Sequence, residues 1–263
     1  MPMAKHPSSS HKSAKSDVRT AALDQPQGVL ITGASGRIGR AMGLAFAKAG
    51  WFVGVHYHQN KVGAEETLRH IERAGATGAV FQADIRDSQA VQQMVEAYDR
   101  QAKLPSVFVC NAGIAASRLL LRQREDEWAN IIATNLTGTF HCLQAMAPSL
   151  LKQGGGSIIV IGSHAGFHGS IGQAAYAASK AGLIGLMKTV ALEWGPDNIR
   201  VNLILPGWQE TGLSEGAIPA AGQWRDHALC RPPALEETAR TILHVARLHD
   251  VSGQVWNCDS RNL

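Results

Sequence analysis

The sequence predicts an α/β fold, a single domain on a doubly wound parallel sheet of about seven strands with helices on both faces. Three observations predict it. From Gly28 to Cys258, short apolar runs alternate with longer stretches of helical periodicity. Runs such as Ile158-Ile-Val-Ile161 are apolar without alternation, as strands covered on both faces are. The chain has 263 residues, 45% hydrophobic and 17% charged, which suits one α/β domain and excludes a disordered polyampholyte.

The elements follow in order. Val29–Thr32 is an apolar run ending at a glycine, and residues 37–49 read as a helix with Ile38, Met42, Phe46 and Ala47 on one face. Phe52–Tyr57 is a second strand, and residues 62–74 form a helix with Glu65, Glu66, Arg69, Glu72 and Arg73 turned outward. Gly78–Ala83 is a third strand, after which Asp87 caps a helix running to about Gln101. Val107–Cys110 is a fourth strand. One long helix then covers Asp126–Met146 and stops near Pro148; Glu125, Asp126 and Glu127 form a solvated cluster at its start, and Trp128 belongs to core or interface. Ser157–Gly162, Ile199–Leu205 and Gln254–Cys258 complete the strands, with helices over 173–194 and 235–247 between them.

Residues 1–27 are rich in Ser, Lys and His and lack apolar periodicity, so they predict a disordered arm before a domain spanning 28–263. Lys5, Lys12, Lys15 and Arg19 against Asp17 and Asp24 leave +2 in the arm and +2 in the remainder of a chain whose net charge is +4. A body that near neutrality argues against a nucleic-acid partner. The most apolar stretch, Gln173–Trp194, carries Lys180, Lys188 and Glu193 and reads as a buried soluble helix rather than a membrane span. No apolar secretory leader is present, and Cys110, Cys142, Cys230 and Cys258 show no framework or CxxC spacing; a cytoplasmic protein with reduced thiols is expected.

In a doubly wound sheet, ligands bind beyond the carboxyl ends of the strands. The first such end carries Thr32-Gly-Ala-Ser-Gly-Arg-Ile-Gly39, directly before a helix. Gly33 and Gly39, with Ser35, Arg37 and Ile38 between them, suit a pyrophosphate at a helix N-terminus; a plain tight turn is the other reading. The second strand ends His56-Tyr-His-Gln-Asn-Lys61, without the carboxylate that a free ribose 2′-hydroxyl calls for. With Arg37 nearby, and His58 and Asn60 at that strand end, NADPH is favoured over NADH; His56 and His58 read alternatively as polar filling, and no metal site is expected. Asp84 could accept from an adenine amino group or cap a turn. The small residues of Asn111-Ala112-Gly113 allow a flat ligand close approach.

Tyr176 and Lys180 stand at i and i+4 on one helix, and Ser163 lies 13 residues before Tyr176 at a strand end. A lysine cation beside a phenol lowers its pKa, which would make Tyr176 a proton donor to a developing alkoxide. Ser163 could hold the substrate carbonyl. His164 and His168 follow Ser163 and are expected to line the substrate. Trp208 and Trp224 lie in a long irregular segment, 207–233; they could cover an apolar substrate, which Trp208 is expected to line, or pack that segment.

Taken together, Thr32-Gly33…Gly39, Asn111-Ala-Gly113, Asn135, Ser163, Tyr176, Lys180 and Pro206-Gly207 resemble the short-chain dehydrogenase/reductase family over residues 28–260. The resemblance implies a Rossmann-type fold and a catalytic tetrad of Asn135, Ser163, Tyr176 and Lys180. In it the asparagine holds a water, and the lysine binds the nicotinamide ribose. It further implies that Ile85 flanks adenine, that Pro206, Gly207 and Thr211 touch the nicotinamide side, that 207–233 is a substrate lid and that the assembly is a homotetramer through 126–146, 173–194 and 254–258. The runs Asn111–Arg122, Gly172–Gly185 and Pro206–Thr211 are most similar to 3-oxoacyl-acyl-carrier-protein reductases. Where such reductases present arginines to a carrier protein, this chain has Gly154 and Asp197, so the carrier partner stays open. Arg37 and His56-Tyr-His58 also resemble pteridine reductases, which leaves a dihydropterin as the alternative substrate. A catalytically silent NADP-binding regulator is the alternative of another class.

Overall fold

A computed structural model describes residues 27–102, 105–209, 224, 227–261 and 263. The expected arm, apart from Gln27, lies outside the described residues, as do Thr211 and most of the segment 207–233. The strands are β1 (Gly28–Ile31), β2 (Phe52–Tyr57), β3 (Gly78–Gln82), β4 (Pro105–Cys110), β5 (Gly156–Ile161), β6 (Ile199–Leu205) and β7 (Val255–Asn257). They form one sheet in the order β3-β2-β1-β4-β5-β6-β7, every pair parallel. The seven-stranded doubly wound architecture read from the alternation is therefore present.

The first six strands each lead into one helix or two: α1 (Arg37–Lys48), α2 (Lys61–Arg73), α3 (Ser88–Gln101), α4 (Glu125–Ile132), α5 (Gly138–Lys152), α6 (Ala165–His168), α7 (Ala174–Trp194) and α8 (Leu235–Arg247). Successive strand residues face opposite sides, so the core divides in two. Leu30 and Phe108 pack with Tyr98, Met146 and Met187 on one side, while Val29, Ile31 and Val109 pack with Met42, Phe46 and Ile242 on the other. Asp87 caps α3 as its residue type suggests, its Oδ1 accepting from the N–H groups of Gln89 and Ala90.

The single helix expected over 126–146 differs in two ways. A π-helical turn, Ala133–Thr137, separates α4 from α5. Helix α5 then passes through Pro148 and ends at Lys152. Proline removes one backbone hydrogen bond to the residue four earlier. Here both Pro148 and Gln144 face solvent, so water can take the freed carbonyl and the helix continues. Helix α6 was not foreseen. Among the described residues no helix is long and apolar enough to cross a membrane. Helix α7 is not buried all round: Leu183, Met187 and Val190 are buried, whereas Leu192 is 81% exposed.

Candidate active site

The sheet order reverses at β1, whose neighbours are β2 and β4, and a crevice opens above that point. Gly33 leaves β1 with φ +66°, and a Cβ there would stand 2.9 Å from the Ala112 Cα. Gly39, in the first turn of α1, has no room for a side chain either: its Cβ would lie 2.5 Å from the Gly33 carbonyl oxygen. Thr32 ties the loop to β4. Its Oγ1 accepts from the N–H groups of Asn111 (2.9 Å) and Ala112 (3.0 Å), and Asn111 Nδ2 donates to the Thr32 carbonyl at 2.8 Å. Asn111 thus braces backbone.

The crevice is a cavity of about 580 Å³. Its wall brings together Gly33, Ser35, Arg37, Ile38 and Gly39 from the loop, His58 and Asn60 beyond β2, Asp84 and Ile85 beyond β3, and Asn111, Ala112 and Gly113 beyond β4. Asn60 caps α2, its Oδ1 accepting from Gly63 N–H at 2.9 Å. Asp84 is held in an ion pair: Arg86 Nε donates to both of its carboxylate oxygens, at 3.0 and 2.9 Å. Those bonds hold the Asp84 carboxyl well below the ordinary range, at about 2.

The second group stands across Gly113. A Cβ at Gly113 would be 3.1 Å from Asn135 Oδ1 and 3.7 Å from Lys180 Nζ. Asn135 lies in the π-helical turn and is 0% exposed. Its Oδ1 accepts from Ile114 N–H at 2.8 Å, and its Nδ2 donates to the Ile114 carbonyl at 2.9 Å and to Ser179 Oγ at 3.0 Å. Lys180 is buried and donates to the Ile161 carbonyl at 2.8 Å; burial pulls its pKa down to about 8. Ser163 hydrogen-bonds Tyr176, and Lys180 Nζ lies 5.7 Å from the Tyr176 ring centroid. The expected lowering of the phenol pKa is not what this geometry produces. Burial raises it, and Ser163, not the lysine, pulls the other way. Tyr176, Lys180, Pro206 and Gly207 are not among the residues of the cavity wall; Gly113 stands between the lysine and it.

Residues 27–220 match the family model described as short chain dehydrogenase. The chain belongs to the short-chain dehydrogenase family. Among its relatives is a 3-oxoacyl-[acyl-carrier-protein] reductase of Staphylococcus aureus, 40% identical over 193 residues, which cover 73% of this chain and 78% of that one. A 3-oxoacyl-[acyl-carrier-protein] reductase of Synechocystis is 37% identical over 236 residues, covering 89% of this chain and 95% of that one. A crystal structure described as a short-chain alcohol dehydrogenase from Sinorhizobium meliloti superposes with a TM-score of 0.85 at 28% identity, covering 90% of this chain and 96% of that one. This short-chain dehydrogenase is thus an oxidoreductase by family, with 3-oxoacyl reductases among its relatives.

The remaining candidates of the short-chain dehydrogenase, His164, His168 and Trp208, are not among the residues of that cavity wall. His164 and His168 stack on each other with ring centroids 4.4 Å apart. Trp208 meets Trp224 edge-on at 6.4 Å. Sequence reasoning missed Arg86, Gln59, Asn130 and Thr134 in the cavity wall. Arg86 had a signal, a cation two residues after Asp84; Asn130 had none, since only the fold sets α4 against the β3 end, where Arg86 Nη1 donates to Asn130 Oδ1 at 2.9 Å.

Proposed function

We propose that this chain is an NADPH-dependent reductase of a ketone, a 3-oxoacyl thioester giving the 3-hydroxyacyl thioester. The observation that carries the reading is the meeting, at Gly113, of the cavity with the group Ser163, Tyr176 and Lys180. The wall fits a dinucleotide phosphate. The N-terminus of α1 opens on the cavity, and at Gly36 an added Cβ would meet nothing nearer than the Gly33 carbonyl oxygen at 3.4 Å. A bound nicotinamide would supply the hydride. Tyr176 Oη gives its proton to the carbonyl oxygen, and Ser163 Oγ holds that oxygen in place. Lys180, fixed on the Ile161 carbonyl, sets the charge beside the phenol and binds the ribose. Asn135 fixes the Ile114 backbone and Ser179 between the two groups. The 3-oxoacyl substrate is supported by the names of the relatives.

The assay is NADPH oxidation with acetoacetyl-CoA, run beside a dihydropterin. Turnover of the thioester is the expected result; turnover of the pterin alone overturns the substrate assignment. NADPH rather than NADH is supported by the β2 end, where residues 57–60 carry no carboxylate and that of Asp84, 3.7 Å from His58, is engaged by Arg86, and by the exposed Arg37 at the start of α1. Arg37→Ala is expected to weaken NADPH about tenfold or more while leaving NADH little changed, read by nicotinamide fluorescence titration. Equal losses would remove Arg37 from recognition of the 2′-phosphate. A homotetramer is proposed on the exposed apolar residues Trp128, Phe140, Leu151 and Leu192 of α4, α5 and α7. Light scattering is expected to give four times the 28.1 kDa chain mass, and a monomer would exclude the assembly.

A further inference from the structure

His56 is the last-but-one residue of β2, buried in the cavity wall between three strand ends. Its Nδ1 accepts from Gly33 N–H at 2.9 Å, and its Nε2 lies 3.1 Å from the Ala83 carbonyl. A backbone carbonyl only accepts, so Nε2 carries the proton and Nδ1 offers a lone pair. The His56 carbonyl also accepts from Ala34 N–H at 2.9 Å. One residue therefore grips two consecutive amides of the glycine loop and ties them to β3. From the other side, Asn111 Nδ2 donates to the Gly33 carbonyl at 3.2 Å. Gly33 has no side chain of its own to hold it; its φ is +66°, and its carbonyl accepts from Gly36 N–H at 3.1 Å.

We infer that His56 is a positioning residue for the cofactor: neutral, it holds the Gly33–Ala34 backbone in the shape that accepts a dinucleotide phosphate, and protonated, it releases that backbone. The inference rests on the cofactor reading given above. The chemistry is a change of role at one atom. Protonation turns Nδ1 from acceptor to donor and sets it against the Gly33 N–H. Burial lowers the His56 pKa from 6.5 to about 4; of the charged groups facing it, His58 beyond β2 lowers it further and Asp84 beyond β3 opposes. In the folded chain the neutral brace is thus half protonated near pH 4 and lost below it, while its contribution to folding stability, full above pH 6.5, declines as pH falls from 6.5 through about 4.

Two substitutions separate its two bonds. An asparagine amide reaches about as far as Nδ1, and a glutamine amide about as far as Nε2. In the full chain, His56→Asn is expected to keep NADPH affinity near wild type and to lose the weakening expected of the wild type as pH falls through about 4. His56→Gln keeps only the Ala83 bond and is expected to bind NADPH about tenfold more weakly, the worth of one buried hydrogen bond. Hydrogen exchange of the chain without cofactor supplies the second readout. Gly33 N–H is expected to be protected in the wild type and in His56→Asn, and unprotected in His56→Gln. If His56→Gln binds NADPH like the wild type and protects Gly33, the inference falls. If the wild type binds no NADPH, the cofactor reading falls instead, and Gly33 exchange alone decides whether the brace exists.

Discussion

Tyr176→Phe is expected to bind NADPH as the wild type does and to lose turnover by about 10²–10⁴-fold, the range of a missing general acid. The substitution removes one oxygen and its proton and leaves the ring in place. Binding should survive because the cavity wall is built from the ends of β1 to β4, and Tyr176 is not part of it. The phenol has the partners that a proton donor needs: Ser163 hydrogen-bonds it, and burial keeps it protonated at neutral pH by raising its pKa. Lys180 stands beside the ring with its ammonium fixed on Ile161. Single-turnover absorbance at saturating NADPH separates binding from chemistry. Turnover within a few-fold of wild type would remove Tyr176 from the proton transfer.

The second large effect is on the folded state. Asn135→Ala strips a fully buried side chain and leaves the Ile114 N–H and carbonyl without their partners. The two Ile114 groups are half-buried, so each costs about 1 kcal/mol, the low end for an orphaned group; a total near 2 kcal/mol and a Tm lower by about 4–8 °C are expected. The damage reaches the reacting residues as well. Ser179 Oγ accepts from Asn135 and donates to the Tyr176 carbonyl at 2.7 Å, which makes Asn135 an indirect support of the turn that carries the tyrosine. A wild-type Tm by calorimetry would show that Ile114 finds other partners.

The sequence made the sheet legible because parallel strands buried on both faces leave uninterrupted apolar runs, and because the helices between them keep a 3.6-residue period. It did not disclose the π-helical turn, since Ala133–Thr137 has ordinary helical composition and the extra residue per turn has no residue signature. Pro148 misled in the usual direction: the solvent that makes it tolerable is visible only once the exposed face of α5 is known. At the site, the glycine loop could be placed because its residues are neighbours in the chain. The role of His56 could not, because its partners Gly33 and Ala83 are 23 and 27 residues away, just beyond the ends of other strands. The direction of the Tyr176 shift was hidden for a related reason: spacing gives the neighbour Lys180, but not the burial that outweighs it.

The strand order that opens the cavity also shapes how the chain is made. β1 is an interior strand of the sheet, buried along its length, and its second edge is closed by β4, with Gly28 paired to Pro105, 77 residues further on. At about 5–20 residues per second, synthesis leaves that edge unpaired for roughly 4–15 s. β2 emerges first and covers only the other side. For that interval the nascent chain presents a short apolar strand with unpaired backbone, a template for mispairing between neighbouring ribosomes.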